Sequence, residues 1–472
     1  MLQAISLTIA IIGAMMAFPA LADFVAGHPD WTVFAVAAGL NLFAGGAVWL
    51  SVRRRDTELD RRHIFIFVPT VWLVSSLAAA MPFYLSNLGV SFTDAIFESV
   101  SGLTTTGSTV FSNLDSMPPG ILLWRSLIQW IGGLGVVVMG MVLLPSMRSG
   151  GQQLFQLESS EKGDKPFARS RVFTERIALV YLLISLFCAL TYMALGMTTF
   201  DAFNHAMTTV STGGYSTSDY SMGLYGTTSM LFASSFFMFV GGLPFVFLIR
   251  LQAGEFRWDV QIGWYFAIIL GAATIVLATR TDATQDPVLH EIATALFSVT
   301  SIITTTGYAS EDYLKWGPAA VSIFFFITFI GGCAGSTAGG FKQFRFVVVH
   351  QILVNRLQQT FRPHQMENMK YGKRRLDPSI AASVVTFSFL YTGTFIVFAL
   401  VYGALGLDFE TAISASATAL ANVGPGISQS IGPAGNFAGL SDPIKWMLCF
   451  EMIVGRLEIM SVYVMLMPSF WR

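Results

Sequence analysis

The sequence predicts an all-α polytopic membrane protein, with four tandem helix–pore helix–helix repeats around a central pore and two extra transmembrane helices at the N-terminus. Three observations lead to this fold class. First, 54% of the 472 residues are hydrophobic and only 12% are charged, about half the charged fraction of an average soluble domain. Second, long apolar segments recur at the length of ~20 residues that crosses a bilayer. Third, a short polar element that contains glycine recurs four times between them.

The apolar segments divide the chain into an N-terminal pair and four similar units. Residues 1–52 form the pair. No Lys or Arg precedes Arg53, so the first segment is predicted to be a retained transmembrane helix rather than a signal peptide. Each unit has a long apolar segment, a short one, the polar element and a second long segment, which in the third unit is broken in its middle. The four units are residues 64–145, 176–250, 261–360 and 379–468.

The short apolar segments are predicted to be re-entrant helices around one cavity. They are too short to cross a bilayer, and irregular backbone at membrane depth is tolerated only where it is buried in protein or lines a water-filled cavity. Acidic residues crowd their first turns, where the helix macrodipole is positive. Their partially negative C-terminal ends would then face the cavity and favour a cation. These segments are residues 92–103, 200–210, 289–303 and 409–420.

The polar elements align on one glycine each and offer oxygen ligands at the end of each short helix. Rings of backbone carbonyls can replace the hydration shell of a cation, and glycine permits the backbone angles that this needs. A single copy would be an ordinary helix C-cap, but four aligned copies favour a selectivity filter. The predicted ion-binding residues are Thr105, Thr106, Gly107, Thr212, Gly213, Gly214, Thr305, Thr306, Gly307, Asn422, Val423 and Gly424.

A second glycine-rich stretch, Gly331–Gly340, is predicted to be a flexible loop inside the membrane, beneath the filter. Arg456 occupies the equivalent position in the fourth unit, and an Arg at mid-membrane is costly and usually functional. We expect it to face the axis, where it would repel cations or hydrogen-bond to loop carbonyls. The alternative is a structural ion pair with Glu451 or Glu458. The predicted gate residues are Gly331, Gly332, Gly335, Ser336, Thr337, Gly339, Gly340 and Arg456.

The distribution of basic residues predicts the orientation in the membrane. If the cluster at 53–62 is cytoplasmic and the sides alternate, the cytoplasmic segments hold 22 of the 27 Lys and Arg residues. By the positive-inside rule, both termini are then cytoplasmic and the re-entrant elements enter from outside. Four basic residues fall on the outer side: Arg125, Arg280, Lys315 and Lys445.

The patterns of cysteine and histidine do not support an enzyme. Cys188, Cys333 and Cys449 all lie in apolar segments and show neither a disulfide framework nor metal-ligand spacing. The six histidines are scattered on both predicted sides of the membrane and form no ligand pair. A polytopic membrane enzyme would need a nucleophile or a metal cluster, so the sequence predicts a transport function instead.

With these motifs the chain resembles the Trk/Ktr/HKT superfamily of potassium transporters, and most closely the bacterial Trk-type potassium-uptake membrane subunit. The resemblance covers the whole chain and rests on the four aligned glycines, the broken segment Gly331–Gly340 and Arg456. It implies K⁺ uptake across the bacterial cytoplasmic (inner) membrane through a gated, channel-like pore. In the superfamily a glycine in all four filters goes with K⁺ selectivity, and a serine in the first goes with Na⁺; here the first is Gly107. The fourth filter, Ala-Asn-Val-Gly-Pro, is the most divergent.

The resemblance also implies a homodimer that works with a cytosolic, nucleotide-binding regulatory ring protein. The chain shows no convincing phosphate-binding motif between a strand and a helix, so any nucleotide site is expected on that partner and no cofactor or nucleic acid on this chain. The basic stretch 342–375 and the loop 146–176 are candidate docking surfaces. The alternative function is a symporter that couples K⁺ to H⁺ or Na⁺. Its intramembrane proton carriers would be Glu98, Glu451 and Glu458.

Overall fold

The structure, a computed structural model, is nearly all helical. One antiparallel ribbon joins Lys370–Tyr371 (β1) to Arg374–Arg375 (β2). The predicted basic cluster at 53–55, most of the loop 146–176 and Glu458 lie outside the residues that the structure describes. Those residues are 1–52, 61–142, 166–282, 286–363, 369–372, 374–457 and 459–472.

The helices are grouped here by the units predicted from the sequence. The N-terminal helices are α1 (Leu2–Met15), α2 (Ala17–Ala26) and α3 (Trp31–Val52). The first unit holds α4 (Arg61–Leu85), α5 (Phe92–Leu103) and α6 (Pro119–Val142). The second holds α7 (Pro166–Ala194), α8 (Thr199–Val210), α9 (Thr228–Gly241) and α10 (Phe245–Gln252).

The third and fourth units contain the remaining helices. The third holds α11 (Val260–Thr279), α12 (Val288–Ile303), α13 (Pro318–Thr328) and α14 (Gln343–Phe361). The fourth holds α15 (Pro378–Ala404), α16 (Phe409–Ala421), α17 (Asp442–Arg456), α18 (Ile459–Leu466) and α19 (Pro468–Trp471). Single 3-10 turns lie at Leu114–Ser116, Ser221–Tyr225 and Tyr313–Trp316.

Length and composition identify this as a polytopic membrane fold. Within the described residues, seven helical segments are long and apolar enough to cross a membrane, or eight if the bent pair α9–α10 counts as one span. The outward faces of α3, α7 and α15 expose large apolar side chains, such as Phe43, Phe187 and Phe389. Exposed apolar surface of this extent is typical of lipid contact. The predicted fold class of an all-α polytopic membrane protein is therefore confirmed.

The four short helices alternate with four other helices in a closed circuit. Packing runs from α5 to α6, α8, α9, α12, α13, α16 and α17, and α17 packs back on α5. The C-terminal halves of the short helices are almost completely buried. Each short helix therefore lies between two neighbours of the circuit.

Side-chain caps fix where three of the short helices begin. A capping oxygen accepts one of the backbone N–H groups that a helix start leaves unpaired. At α16 the bond from the Thr411 N–H lowers the pKa of the Asp408 carboxyl. The backbone N–H groups of Asp94, Asp201 and Thr411 donate to Ser91, Thr198 and Asp408, at 3.1, 3.1 and 3.0 Å.

Two predicted spans differ from the structure. The segment 228–249 was expected to be one helix, but α9 and α10 meet at a bend of 101°. Pro244 caps α10, and the Gly242 carbonyl accepts the Cys333 N–H at 2.9 Å instead of continuing the helix. The segment 443–467 was also expected to be continuous, but α17 ends at Arg456 and α18 begins at Ile459.

Candidate functional site

The four polar elements share one unusual backbone conformation. The first residue of each has a left-handed φ: Thr105 at 54°, Thr212 at 53°, Thr305 at 58° and Asn422 at 56°. A β-branched residue rarely adopts positive φ. Three threonines with this conformation at equivalent positions therefore indicate that the surrounding structure imposes it. Two residues later each element has a glycine with positive φ: Gly107 at 85°, Gly214 at 76°, Gly307 at 80° and Gly424 at 105°.

These glycines and the neighbouring carbonyls form a closed ring. A Cβ atom on Gly107 would collide with the carbonyl oxygen of Gly213. In the same way, a Cβ on Gly214 would collide with the carbonyl oxygen of Thr306, and a Cβ on Gly307 would collide with the carbonyl oxygen of Val423. A Cβ on Gly424 would lie 2.8 Å from the carbonyl oxygen of Thr106. Each glycine thus faces the residue that precedes the next glycine, and the fourth contact returns to the first element. We call the residues 105–107, 212–214, 305–307 and 422–424 the polar ring.

Side-chain amides, one in the ring and one outside it, hold its elements together. Asn422 donates from Nδ2 to Thr106 Oγ1 and to the Met452 carbonyl, each at 2.9 Å, and so ties the fourth element to the first. Gln129 Nε2 donates to the Gly213 carbonyl at 2.6 Å, and its Oε1 accepts the Tyr215 N–H at 3.0 Å. The ring is therefore braced by these amide side chains.

A buried ion pair lies behind the first two elements. Arg125 Nε is 2.8 Å from Glu98 Oε1, and both side chains are at most 1% exposed. The guanidinium also donates to the Ser216 carbonyl at 2.8 Å and stacks 4.2 Å from the centre of the Tyr215 ring. Arg125 was predicted as one of four basic residues on the outer side, and the structure adds that it is buried, paired and part of the lining of a cavity beside Gly107. It is a lone Arg in an apolar segment, and an intramembrane charge requires a partner, so its pairing could have been inferred.

His205 has the place in the second unit that Glu98 has in the first. Its Nε2 is 3.0 Å from Ser216 Oγ, and its Nδ1 is 2.9 Å from the Asp201 carbonyl. Both residues therefore hold the chain that follows a ring glycine. Lys445, also expected on the outer side, is buried and its Nζ lies 2.6 Å from Asp94 Oδ1.

Removing one member of the Glu98–Arg125 pair is expected to destabilise the protein strongly. Arg125→Ala leaves a buried carboxylate without its counter-charge, which costs about 3–5 kcal/mol. We expect a large loss of thermal stability in detergent, measured by size-exclusion chromatography after heating. The double variant Glu98→Gln with Arg125→Met removes both charges and should be more stable than Arg125→Ala. Equal stability of the two would contradict a structural ion pair.

The glycine loop, Gly331–Gly340, lies against one side of the ring. Gly339 N–H donates to Thr305 Oγ1 at 2.7 Å, and Gly340 N–H donates to the Ala421 carbonyl at 2.9 Å. Thr337 Oγ1 donates to the carbonyls of Val210 and Gly241, at 3.1 and 3.0 Å. The loop therefore binds three of the four elements or the helix ends that carry them.

The remaining predicted gate residues anchor the loop to its surroundings. The Gly335 carbonyl accepts the Phe245 N–H at 2.9 Å, at the bend between α9 and α10. Ser336 donates to the Cys333 carbonyl at 2.7 Å. The carbonyls of Gly331 and Gly332 accept from Gln343, from Nε2 and from the backbone N–H, each at 2.9 Å. Sequence reasoning missed Gln343, although a buried amide at the start of α14 needs partners.

Arg456 contacts the same loop. Its Nη2 donates to the Thr337 carbonyl at 2.7 Å, and the side chain is 9% exposed. Glu451, one alternative ion-pair partner, instead accepts from Tyr402 and Ser416, each at 2.6 Å. The described residues thus place Arg456 against a loop carbonyl and not against Glu451, whereas Glu458 lies outside them.

Two cavities flank the polar ring. One, of about 220 Å³, is lined by the four ring glycines and by polar residues that follow them, including Ser108, Ser216 and Asp219. The other, of about 80 Å³, lies at the loop and is lined by Lys342, Arg345 and Arg456. The first cavity therefore adjoins the ring glycines, and the second adjoins the glycine loop.

Comparisons with known proteins agree with this architecture. The family model TrkH, described as a cation transport protein, matches residues 32–257 and 259–471. The Trk system potassium uptake protein TrkI of Halomonas elongata is 39% identical over 98% of this chain and 94% of its own length. The Trk system potassium uptake protein TrkH of Escherichia coli is 31% identical over 99% of this chain and 98% of its own length.

A solved structure has the same fold along the whole chain. The crystal structure of the potassium transporter TrkH from Vibrio parahaemolyticus superposes with a TM-score of 0.90 at 30% sequence identity. The match covers 100% of this chain and 99% of the other. The chain therefore belongs to the TrkH family of cation transport proteins, which are membrane transporters and not enzymes.

Proposed function

We propose that this chain carries K⁺ into the cell through a gated, channel-like pore, and that the polar ring is its selectivity filter. The observation that carries the proposal is the closed circuit in which each ring glycine faces the carbonyl of the next element. Carbonyl rings of this kind can replace the hydration shell of a bare cation. The relatives named for potassium uptake, at up to 39% identity over almost the whole chain, support K⁺ as the ion.

The electrostatics of the ring favour a monovalent cation that passes through. All twelve ring residues are uncharged, so an ion would meet only oxygen dipoles and the partially negative ends of the four short helices. Binding to dipoles is strong enough to replace water and weak enough to release the ion again, as conduction requires. Asp219 adds a carboxylate at the outer cavity, where it would raise the local cation concentration.

We infer that the glycine loop and Arg456 form the gate. The loop covers the inner side of the ring, and Arg456 hydrogen-bonds to its Thr337 carbonyl. Three cationic side chains line the inner cavity, and no carboxylate of the described residues does so. Their charge would oppose entry of K⁺ while the loop is in place.

The contacts of the two candidate proton carriers that the structure describes, Glu98 and Glu451, favour a channel-like pore over a symporter. Glu98 is held by Arg125, and Glu451 by two hydroxyl groups. Neither residue lines either cavity, so neither meets the proposed ion path. A proton-coupled mechanism requires a carboxylate that exchanges protons with that path.

The experiment that tests this function measures K⁺ flux into proteoliposomes at fixed K⁺ gradient, with and without a proton gradient. We expect flux that follows the K⁺ gradient and is unchanged within about twofold by the proton gradient or by Glu451→Gln. Accumulation of K⁺ against its gradient, driven by protons or Na⁺, would establish the symporter instead. Liposomes without protein and liposomes with Gly135→Ser serve as controls, because Gly135 has open space around its Cα.

We also propose that the chain lies in the bacterial inner membrane as a homodimer, with cytoplasmic termini and a cytosolic, nucleotide-binding regulatory ring protein as partner. The basic residues of the ribbon β1–β2 and the exposed apolar face of α14, with Leu353, Leu357 and Phe361, support a docking surface there. Adding that partner is the second arm of the same flux assay.

A further inference from the structure

Four side chains hold equivalent positions at the inner edge of the polar ring. They belong to the left-handed residues Thr105, Thr212, Thr305 and Asn422, and none of them has any exposed surface. We call them the inner side-chain ring. Each of them lies two residues before a ring glycine and has nearly the same φ, so the four residues are equivalent in position and backbone conformation. The ring thus offers three hydroxyl oxygens and one amide oxygen.

The four oxygens differ in whether they contact the glycine loop. Thr305 Oγ1 accepts the Gly339 N–H at 2.7 Å, and Thr212 Oγ1 is 3.2 Å from Thr337 Oγ1. Thr105 Oγ1 and Asn422 Oδ1 have no hydrogen-bond partner among the described residues. Within the inner side-chain ring, the loop therefore contacts the oxygens of the second and third elements and leaves the oxygens of the first and fourth unpaired.

The unpaired oxygens indicate a ligand. A buried polar atom without a partner is rare, and each case calls for an explanation such as an ion. Here two such atoms belong to one ring of oxygens at the end of a carbonyl filter, and oxygen is the ligand that hard cations take. The ligand class that fits is a dehydrated monovalent cation, coordinated by the side-chain oxygens of this ring.

Such a cation and the closed loop would compete for the same atom. An amide N–H presents its positive end to Thr305 Oγ1, and a cation in the inner side-chain ring would place a full positive charge near that oxygen. The two positive partners repel each other, and the repulsion is strong in a water-excluded site. Occupancy of the ring and closure of the loop are therefore mutually unfavourable.

We propose that K⁺ bound in the inner side-chain ring displaces the Gly339 N–H from Thr305 and thereby opens the glycine loop. The permeant ion is then an activator of its own gate, and Thr305 is the positioning residue that couples the two. By linkage, the closed loop lowers K⁺ affinity of the ring by the same factor. This inference rests on the proposed function of the polar ring as a K⁺ filter.

A native thiol reports the state of the loop. Cys333 lies inside the loop and is fully buried, and the chain has only two other cysteines, Cys188 and Cys449. In a background with both of those changed to alanine, the rate of maleimide labelling at Cys333 measures how often the loop opens. The protein is assayed in proteoliposomes, with N-methylglucamine replacing K⁺ at constant ionic strength.

The expected results separate Thr305 from its matched control Thr105, an equivalent hydroxyl without a loop contact. In the background protein, saturating K⁺ raises the labelling rate by about fivefold or more. In Thr305→Val, Cys333 is labelled fast without K⁺, and added K⁺ does not change the rate. In Thr305→Ser, labelling is slow without K⁺ and K⁺ raises the rate again. Thr105→Val labels slowly without K⁺ and still responds, at higher K⁺ concentrations, because it has lost one ion ligand and no loop bond.

Two outcomes would overturn the proposal. One is a labelling rate that does not depend on K⁺ in the background protein, while the same proteoliposomes conduct K⁺ selectively; the filter assignment would then stand without the coupling. The other is an equal response of Thr305→Val and Thr105→Val. The conservative variant Thr305→Ser must elute as a single species, so a folding defect cannot imitate the result.

Discussion

Gly107→Ser is expected to lower the K⁺/Na⁺ flux ratio of the reconstituted protein by about tenfold, a loss of about 1.4 kcal/mol of discrimination. A Cβ at this position would collide with the Gly213 carbonyl oxygen, and the left-handed φ of 85° disfavours any side chain. The ring must widen to accept serine, so that its oxygens coordinate dehydrated K⁺ less well. The measurement is K⁺ and Na⁺ flux into proteoliposomes under equal gradients.

Two further variants make this result interpretable. Gly307→Ser places the same side chain against the Val423 carbonyl and should also reduce selectivity. Gly135→Ser introduces serine into α6, where a Cβ would meet nothing within 4 Å, and should behave like the wild type. Selectivity at the wild-type level in both ring variants would contradict the assignment of the polar ring as the filter.

Arg456→Ala is expected to raise K⁺ flux about tenfold in the absence of any partner. The variant removes the charge-assisted bond to the Thr337 carbonyl, and such bonds contribute about 1.5–3 kcal/mol. It also removes one of three cations from the inner cavity. Because both effects favour an open loop, uptake of a K⁺ tracer into proteoliposomes should rise while selectivity, set by the polar ring, is retained.

Arg456→Lys distinguishes the two contributions. Lysine keeps the positive charge but lacks the planar guanidinium that reaches the loop carbonyl. Flux at the wild-type level in this variant would assign the gate to charge repulsion, and raised flux would assign it to the hydrogen bond. Deletion of Gly335–Gly339 tests the loop directly and should also raise flux. The gate assignment is wrong if neither Arg456→Ala nor the deletion alters flux.

The sequence was most informative about the short helices. Their ends agree with the structure within one residue: α5 is Phe92–Leu103 against the predicted 92–103, and α12 is Val288–Ile303 against 289–303. Capping residues mark the starts of three of them, and the polar elements mark all four ends, so local signals define each helix. The alignment of four glycines could be made for the same reason, because each follows a helix of similar length.

The sequence was least informative where one segment adopts its shape by contact with another. The bend between α9 and α10 depends on bonds from Gly242 and Phe245 to the glycine loop, about ninety residues away in the chain. Pro244 is a local signal for the break between these helices. Gln129 and Gln343 are isolated amides on apolar helices, and only the three-dimensional arrangement reveals that each one braces a ring or loop carbonyl.

The circuit of glycine and carbonyl contacts runs through a single polypeptide whose quarters differ in sequence. In an assembly of four identical subunits, every substitution in the ring would occur four times at once. Here each substitution alters one of the four elements of the polar ring, which we call its quarters, and leaves the other three intact. A single substitution can therefore have a partial effect on permeation. The loop bonds to side chains of the second and third quarters and to the helix end of the fourth, whose Asn422 also fastens the ring to the first. One quarter can therefore acquire a separate task while the other three keep the geometry of the proposed filter.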